Sequence, residues 1–203
     1  MTSQNLPMDI LKDDHRANEE RPSLASADRR EVLKIGGGLV LGLGAGALIG
    51  HEPAVHAQPV TYASWIHGHT AHIEFPDRVR RITYLGFHVD IEPRAGSLNW
   101  VHFGIPTPVI VNNQRLRILR VILNFSTASV DAFVSNVHVW DAATRIAIFD
   151  GLGLSGNRPN QVFAIPGTPS VFNGIGISIG IAAGVEPLDH RFFFRSVGAE
   201  FTV

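Results

Sequence analysis

The chain has 203 residues, with 17 lysines and arginines against 18 aspartates and glutamates, and no cysteine. So nearly neutral a charge lacks the basic footprint of a nucleic-acid binder. The missing thiols exclude thiol catalysis, thiol redox exchange and thiolate metal sites.

Residues 1–28 are polar and turn-prone, and Asp13-Asp14 and Glu19-Glu20 leave no apolar face, so this stretch reads as a disordered leader. Arg29-Arg30-Glu31-Val32-Leu33-Lys34 follows, then an uncharged run from Ile35 to Gly50, then Val55-His56-Ala57. Charged, apolar and small-residue segments in that order make an export signal. The twin arginine resembles the Tat type, with Asp28 where that pattern usually has a hydroxyl residue. The resemblance implies the Tat translocase as a transient partner, cargo that crosses already folded, and a periplasmic or extracellular destination. The apolar run has 16 residues, seven of them glycine. A membrane-spanning helix wants roughly 20 strongly apolar residues, so cleavage after Ala57 is expected rather than a retained anchor.

What remains, residues 58–203, is one domain large enough to bury a core. It carries 11 arginines, no lysine and 10 carboxylates, a formal charge of +1. Without lysine it has no Schiff-base chemistry. Without disulfides, its stability rests on the core.

The text after Ala57 alternates short β-branched and aromatic runs with Gly, Pro, Asn and Asp. Strands are expected near 60–66, 69–75, 79–87, 98–105, 116–126, 132–140, 144–150, 161–165, 174–182 and 190–202. That spacing predicts an all-β fold, a single antiparallel β-sandwich of jelly-roll type. Val137–Asp141 and Arg145–Asp150 form the arms of a hairpin around Ala142-Ala143. Gly174 to Ile181 has the cleanest period of two, with isoleucines on one face and Gly, Gly, Ser and Gly on the other. A bare strand face admits close approach. Phe192 and Phe194 are the expected cover, and a groove or a subunit contact is the alternative.

The densest polar run is Trp65 to Glu74. In an uninterrupted strand His67 and His69 share a face, and with Glu74 they could hold one divalent transition metal. His-x-His-x4-Glu resembles the first metal motif of the cupins, which implies a metal-dependent enzyme. The glycine that precedes that motif is Thr61 here, and the second motif with its fourth ligand is missing. The competing reading has no cofactor, with Gly68 making a bend that separates the two histidines. His88 with Asp90 and His138 with Asp141 are weaker pairs.

Gly151 to Gly156 spells a dinucleotide fingerprint, but Asn157-Arg158-Pro159-Asn160 follows where a helix is required, so the run is a loop. Asn157 also breaks a nucleophile elbow at Ser155. Asp150, Glu186, Asp189 and Glu200 are carboxylates whose meeting only a fold can decide. Trp65, Trp100 and Trp140 are candidate stacking surfaces for a ligand such as a sugar, against a core role.

Trp65-Ile66-His67-Gly68, Trp100 to Pro108, Val137 to Asp141 and the Gly/Ile strand together resemble an uncharacterised family of exported bacterial domains of unknown function. That resemblance implies a β-sandwich and carries no functional residue over. The function expected from the sequence is a non-enzymatic exported domain that binds a ligand or protein partner, in which a homo-oligomer is admissible. The cupin-like enzyme is the alternative.

Overall fold

The computed structural model describes residues 58–203; the expected leader, Arg29, Arg30 and the rest of the expected export signal lie outside the described residues. Thirteen strands run in chain order. They are β1 (Tyr62–His67), β2 (His72–Ile73), β3 (Val79–Leu85), β4 (His88–Pro93), β5 (Leu98–Ile105), β6 (Ile110–Val111) and β7 (Gln114–Arg115). After these come β8 (Arg117–Thr127), β9 (Ala132–Asp141), β10 (Thr144–Phe149), β11 (Asn157–Ala164), β12 (Ile175–Ala183) and β13 (Phe192–Thr202).

Two antiparallel sheets form the expected sandwich. The first has the order β11-β8-β13-β4-β3, with β1 also pairing β13; the second has the order β10-β9-β12-β5-β2. Their inner faces meet in one apolar core. Phe103 of the second sheet lies 5.8 Å, centroid to centroid, from Phe194 of the first, which in turn stacks on Phe125 at 5.7 Å.

The Gly/Ile strand is β12, the centre of the second sheet, and its orientation corrects the expected packing. Ile175, Ile177, Ile179 and Ile181 face the core and are at most 2% exposed. Burying each isoleucine side chain contributes roughly 1.5–3 kcal/mol, so the branched face turns inward. Phe192 and Phe194 fill the same core, and Gly176, Ser178 and Gly180 face outward instead of being covered by them.

β1 and β4 share one edge of β13. β1 pairs Ser196–Phe201 and β4 pairs Phe192–Phe194. Gly68 sits at the handover, where an added Cβ would run into the Phe194 carbonyl oxygen and lie 3.3 Å from the Val89 nitrogen. The expected strand at 69–75 is therefore a 3-10 turn, Gly68–Thr70, followed by the two-residue β2. The strand expected at 79–87 is half of a hairpin, and Gly86-Phe87 leads into the unexpected β4. The turn text at Asn157–Asn160 belongs to the edge strand β11, where a register shift between Arg158 and Gln161 accommodates Pro159.

Candidate functional site

Paired residues of neighbouring antiparallel strands point to the same side of a sheet, so the register of the second sheet fixes what its outer face displays. Ser178 of β12 pairs His138 of β9 and His102 of β5, and His102 pairs His72 of β2. One row across the outer face therefore reads His138, Ser178, His102, His72. Towards the start of β12, Gly176 lies between Trp140 and Gly104. Towards its end, Gly180 lies between Asn136 and Trp100.

The centre of this face is bare for reasons the fold does not supply. An added Cβ at Gly104 would meet nothing within 4 Å, and at Gly176 it would approach Trp140 Cβ at an ordinary 3.9 Å. Neither glycine has a positive φ. Glycine in a strand interior costs roughly 0.5–1 kcal/mol relative to alanine, and here it leaves a flat strip between two half-buried tryptophans. Gly180 differs, because its added Cβ would lie 3.0 Å from Asn136.

Polar side chains line the strip in bonded chains. His102 Nδ1 lies 2.9 Å from Ser178 Oγ, and His102 Nε2 lies 2.9 Å from Glu74 Oε2. His138 Nε2 donates to Asp150 Oδ1 at 2.8 Å, and Asn136 Nδ2 donates to the same oxygen at 2.6 Å. Those donors, Asn136 first and then His138, hold the Asp150 carboxyl below the ordinary carboxylate range. The Trp100 and His138 rings come within 4.9 Å. The Arg145 guanidinium sits 5.5 Å from the Trp140 ring centre.

The sequence candidates divide between the two sheets. Trp100 and Trp140 share the strip. Trp65 lies on the first sheet, covering Gly198, whose added Cβ would fall 2.5 Å from Trp65 Cδ2. Its ring shields backbone there.

The structure does not bring His67, His69 and Glu74 together. The turn at Gly68 ends the strand alternation, yet it does not separate the two histidines as the competing reading expected: their rings meet edge to face with centroids 4.2 Å apart. His67 Nδ1 accepts from the His69 backbone N–H at 3.3 Å, and His69 Nε2 contacts the Leu85 carbonyl oxygen. Glu74 has crossed to the second sheet and bonds His102. Among the described residues no three histidine, aspartate or glutamate side chains converge as a metal site.

His138 pairs Asp150 across the hairpin rather than Asp141. Asp141 is buried and accepts from the backbone N–H groups of Phe172, Asn173 and Gly174 at 2.7–2.9 Å. Burial works to raise its pKa, but those three donors and Arg115 outweigh it and hold the carboxyl below its usual range. His88 is buried between the rings of Phe87 and Phe193. Desolvation lowers its pKa, Asp90 opposes this, and Arg195, His67 and His69 add to it. Asp189 is paired with Arg191 and Glu200 with Arg120, so these carboxylates do not gather with Asp150.

Composition and local spacing do not identify His72, His102, His138, Asn136 and Ser178 as a group, because register alone makes them neighbours. The available signal is alternation: Trp100-x-His102-x-Gly104 and Asn136-x-His138-x-Trp140 flank Gly176-x-Ser178-x-Gly180.

A family of unknown function, DUF6623, matches residues 60–201, and the chain belongs to it. No curated protein matches. Among solved structures, similarity is found to a low-affinity xylan-binding module, CBM86, from Roseburia intestinalis. Its TM-score is 0.44 at 14% identity, covering 70% of this chain and 96% of that one. A family 29 carbohydrate-binding module from Piromyces equi gives 0.36 at 8% identity, covering 68% and 90%. An exo-beta-1,3-galactanase from Phanerochaete chrysosporium gives 0.35 at 12% identity, covering 70% and 30%.

Proposed function

For this member of the DUF6623 family we propose a ligand-binding role, in which the outer face of the second sheet is a stacking platform for a carbohydrate chain. The observation that carries this reading is the pair of glycines, Gly104 and Gly176, that neither backbone conformation nor packing requires. They keep a strip open between Trp100 and Trp140, which standard strand spacings set roughly 16 Å apart at the backbone. A sugar ring presents an apolar C–H face to an aromatic ring and hydroxyl edges to polar neighbours. Trp100 and Trp140 suit the first, and Ser178, Glu74, Asn136 and Asp150 suit the second. Retardation of the protein in gels containing polysaccharides tests this. Loss of retardation in Trp100→Ala and Trp140→Ala, with thermal stability kept, is the supporting result; retardation that ignores both substitutions contradicts it.

Export by the Tat route is the second part of the proposal. It is supported by Arg29-Arg30, the run from Ile35 to Gly50 and the Val55-His56-Ala57 site. Cell fractionation of the wild type and of a double Arg29→Lys, Arg30→Lys variant checks it. Export unaffected by the double substitution contradicts the route.

A further inference from the structure

The hydrogen bonds of the strip have a determinable direction. An ionised carboxylate only accepts, so the 2.9 Å contact with Glu74 places a proton on His102 Nε2. A neutral imidazole carries one such proton, which leaves Nδ1 an acceptor. Ser178 must then donate its hydroxyl proton to Nδ1 across the second 2.9 Å contact. What Ser178 offers outward, at the middle of the glycine strip, is its lone pairs. The same reasoning puts a proton on His138 Nε2, directed at Asp150. With neutral histidines the Ser178 oxygen and the Glu74 and Asp150 carboxylates are acceptors, the second Asn136 amide hydrogen, the two indole N–H groups and His72 are the donors beside them, and Arg145 is set over Trp140.

Ser178, His102 and Glu74 have the composition of an acyl-transfer triad, but not its surroundings. Ser178 lies mid-strand with partners on both sides. Its sheet neighbours engage the ladder N–H groups that an oxyanion would need. The chain of bonds sets polarity rather than attack.

We propose that Ser178, held by Glu74 through His102, accepts a ligand hydroxyl at the centre of the platform, and that the flanking Glu74 and Asp150 carboxylates make the platform select uncharged, hydroxyl-rich chains over carboxylated or sulfated ones. This rests on the platform reading above. An O–H edge can donate to each of these acceptors, whereas an anionic group would face the Glu74 and Asp150 carboxylates with no proton to give. Like charges at this exposed edge repel, and salt screens that repulsion.

The test measures affinities of the full chain for xylan, a β-glucan, polygalacturonate and dextran sulfate, at low and at molar salt. The expected result is binding of a neutral chain at least about 10-fold tighter than of either polyanion, a difference of about 1.4 kcal/mol. That ratio should shrink in high salt. Ser178→Ala should weaken neutral binding about 5-fold or more. The double variant Glu74→Gln, Asp150→Asn should bring the ratio to within about two-fold, since it keeps acceptor oxygens and removes charge. Polyanion binding equal to or tighter than neutral binding, yet lost in Trp100→Ala, overturns this inference and leaves the platform standing. A folded sample that binds none of the four chains, or whose binding ignores Trp100→Ala, overturns the platform and this inference with it.

Discussion

Trp100 and His138 lie on strands that are not neighbours, yet their ring centres are 4.9 Å apart, above the bare middle of β12. A side chain larger than serine at the centre of that strand would separate them. The contact links the two polar chains of the face, since His138 is tied to Asp150 and His102, on the strand of Trp100, is tied to Ser178 and Glu74. The rings and most of the polar side chains of the face thus come from β5, β9 and β12, while Glu74 and Asp150 reach it from just after β2 and β10.

Trp65 provides the internal control. It is 42% exposed and belongs to the opposite sheet. Trp65→Ala should leave carbohydrate binding unchanged and uncover Gly198, lowering stability by roughly 1–2 kcal/mol for a half-buried aromatic. Urea unfolding alongside gel retardation measures both.

Gly68→Ala should cost about 3 kcal/mol, because its Cβ would collide with the rigid Phe194 carbonyl rather than with a side chain that can turn away. A shift of the urea midpoint, with no loss of binding once folded, is the expected outcome.

Ala142 occupies the β9–β10 hairpin with φ of 49°. That region costs a residue with a Cβ about 1–2 kcal/mol and costs glycine little. Ala142→Gly should therefore raise stability, by up to about 1 kcal/mol after the entropy lost from a freer unfolded chain. Thermal unfolding reads this directly.

Asp141 makes stability depend on acid. Its pKa is lowered in the fold, so its contribution is fully present above the unfolded carboxylate value of about 3.9. That contribution declines as pH falls below this value and is lost below the folded one. Asp141→Ala should cost about 2–3 kcal/mol at neutral pH through the loop at Phe172–Gly174. The gap between variant and wild type should narrow in urea titrations repeated below pH 4.

The sandwich was legible because strand alternation and turn chemistry are local. The hairpin around Ala142-Ala143 and the inward isoleucines of β12 are written in consecutive residues. The outer face of the second sheet was half legible. Trp100 and Trp140 stand out, but their partnership needs the register that sets β9 and β5 on either side of β12. His67 and His69 do meet, through a turn at Gly68 that the passing Phe194 carbonyl imposes rather than through strand alternation, and no neighbour in sequence announces that turn. Glu74 lies beside His102 instead of His67 and His69, since the chain changes sheets between Thr70 and His72.

On the proposed platform Gly176 is glycine for a ligand and not for the fold. Gly176→Val tests it most directly, with stability and polysaccharide retardation measured on the same sample. The variant should be as stable as the wild type or up to about 1 kcal/mol more stable, with binding to neutral chains weakened at least about 10-fold. A stable variant that binds as the wild type does would contradict it.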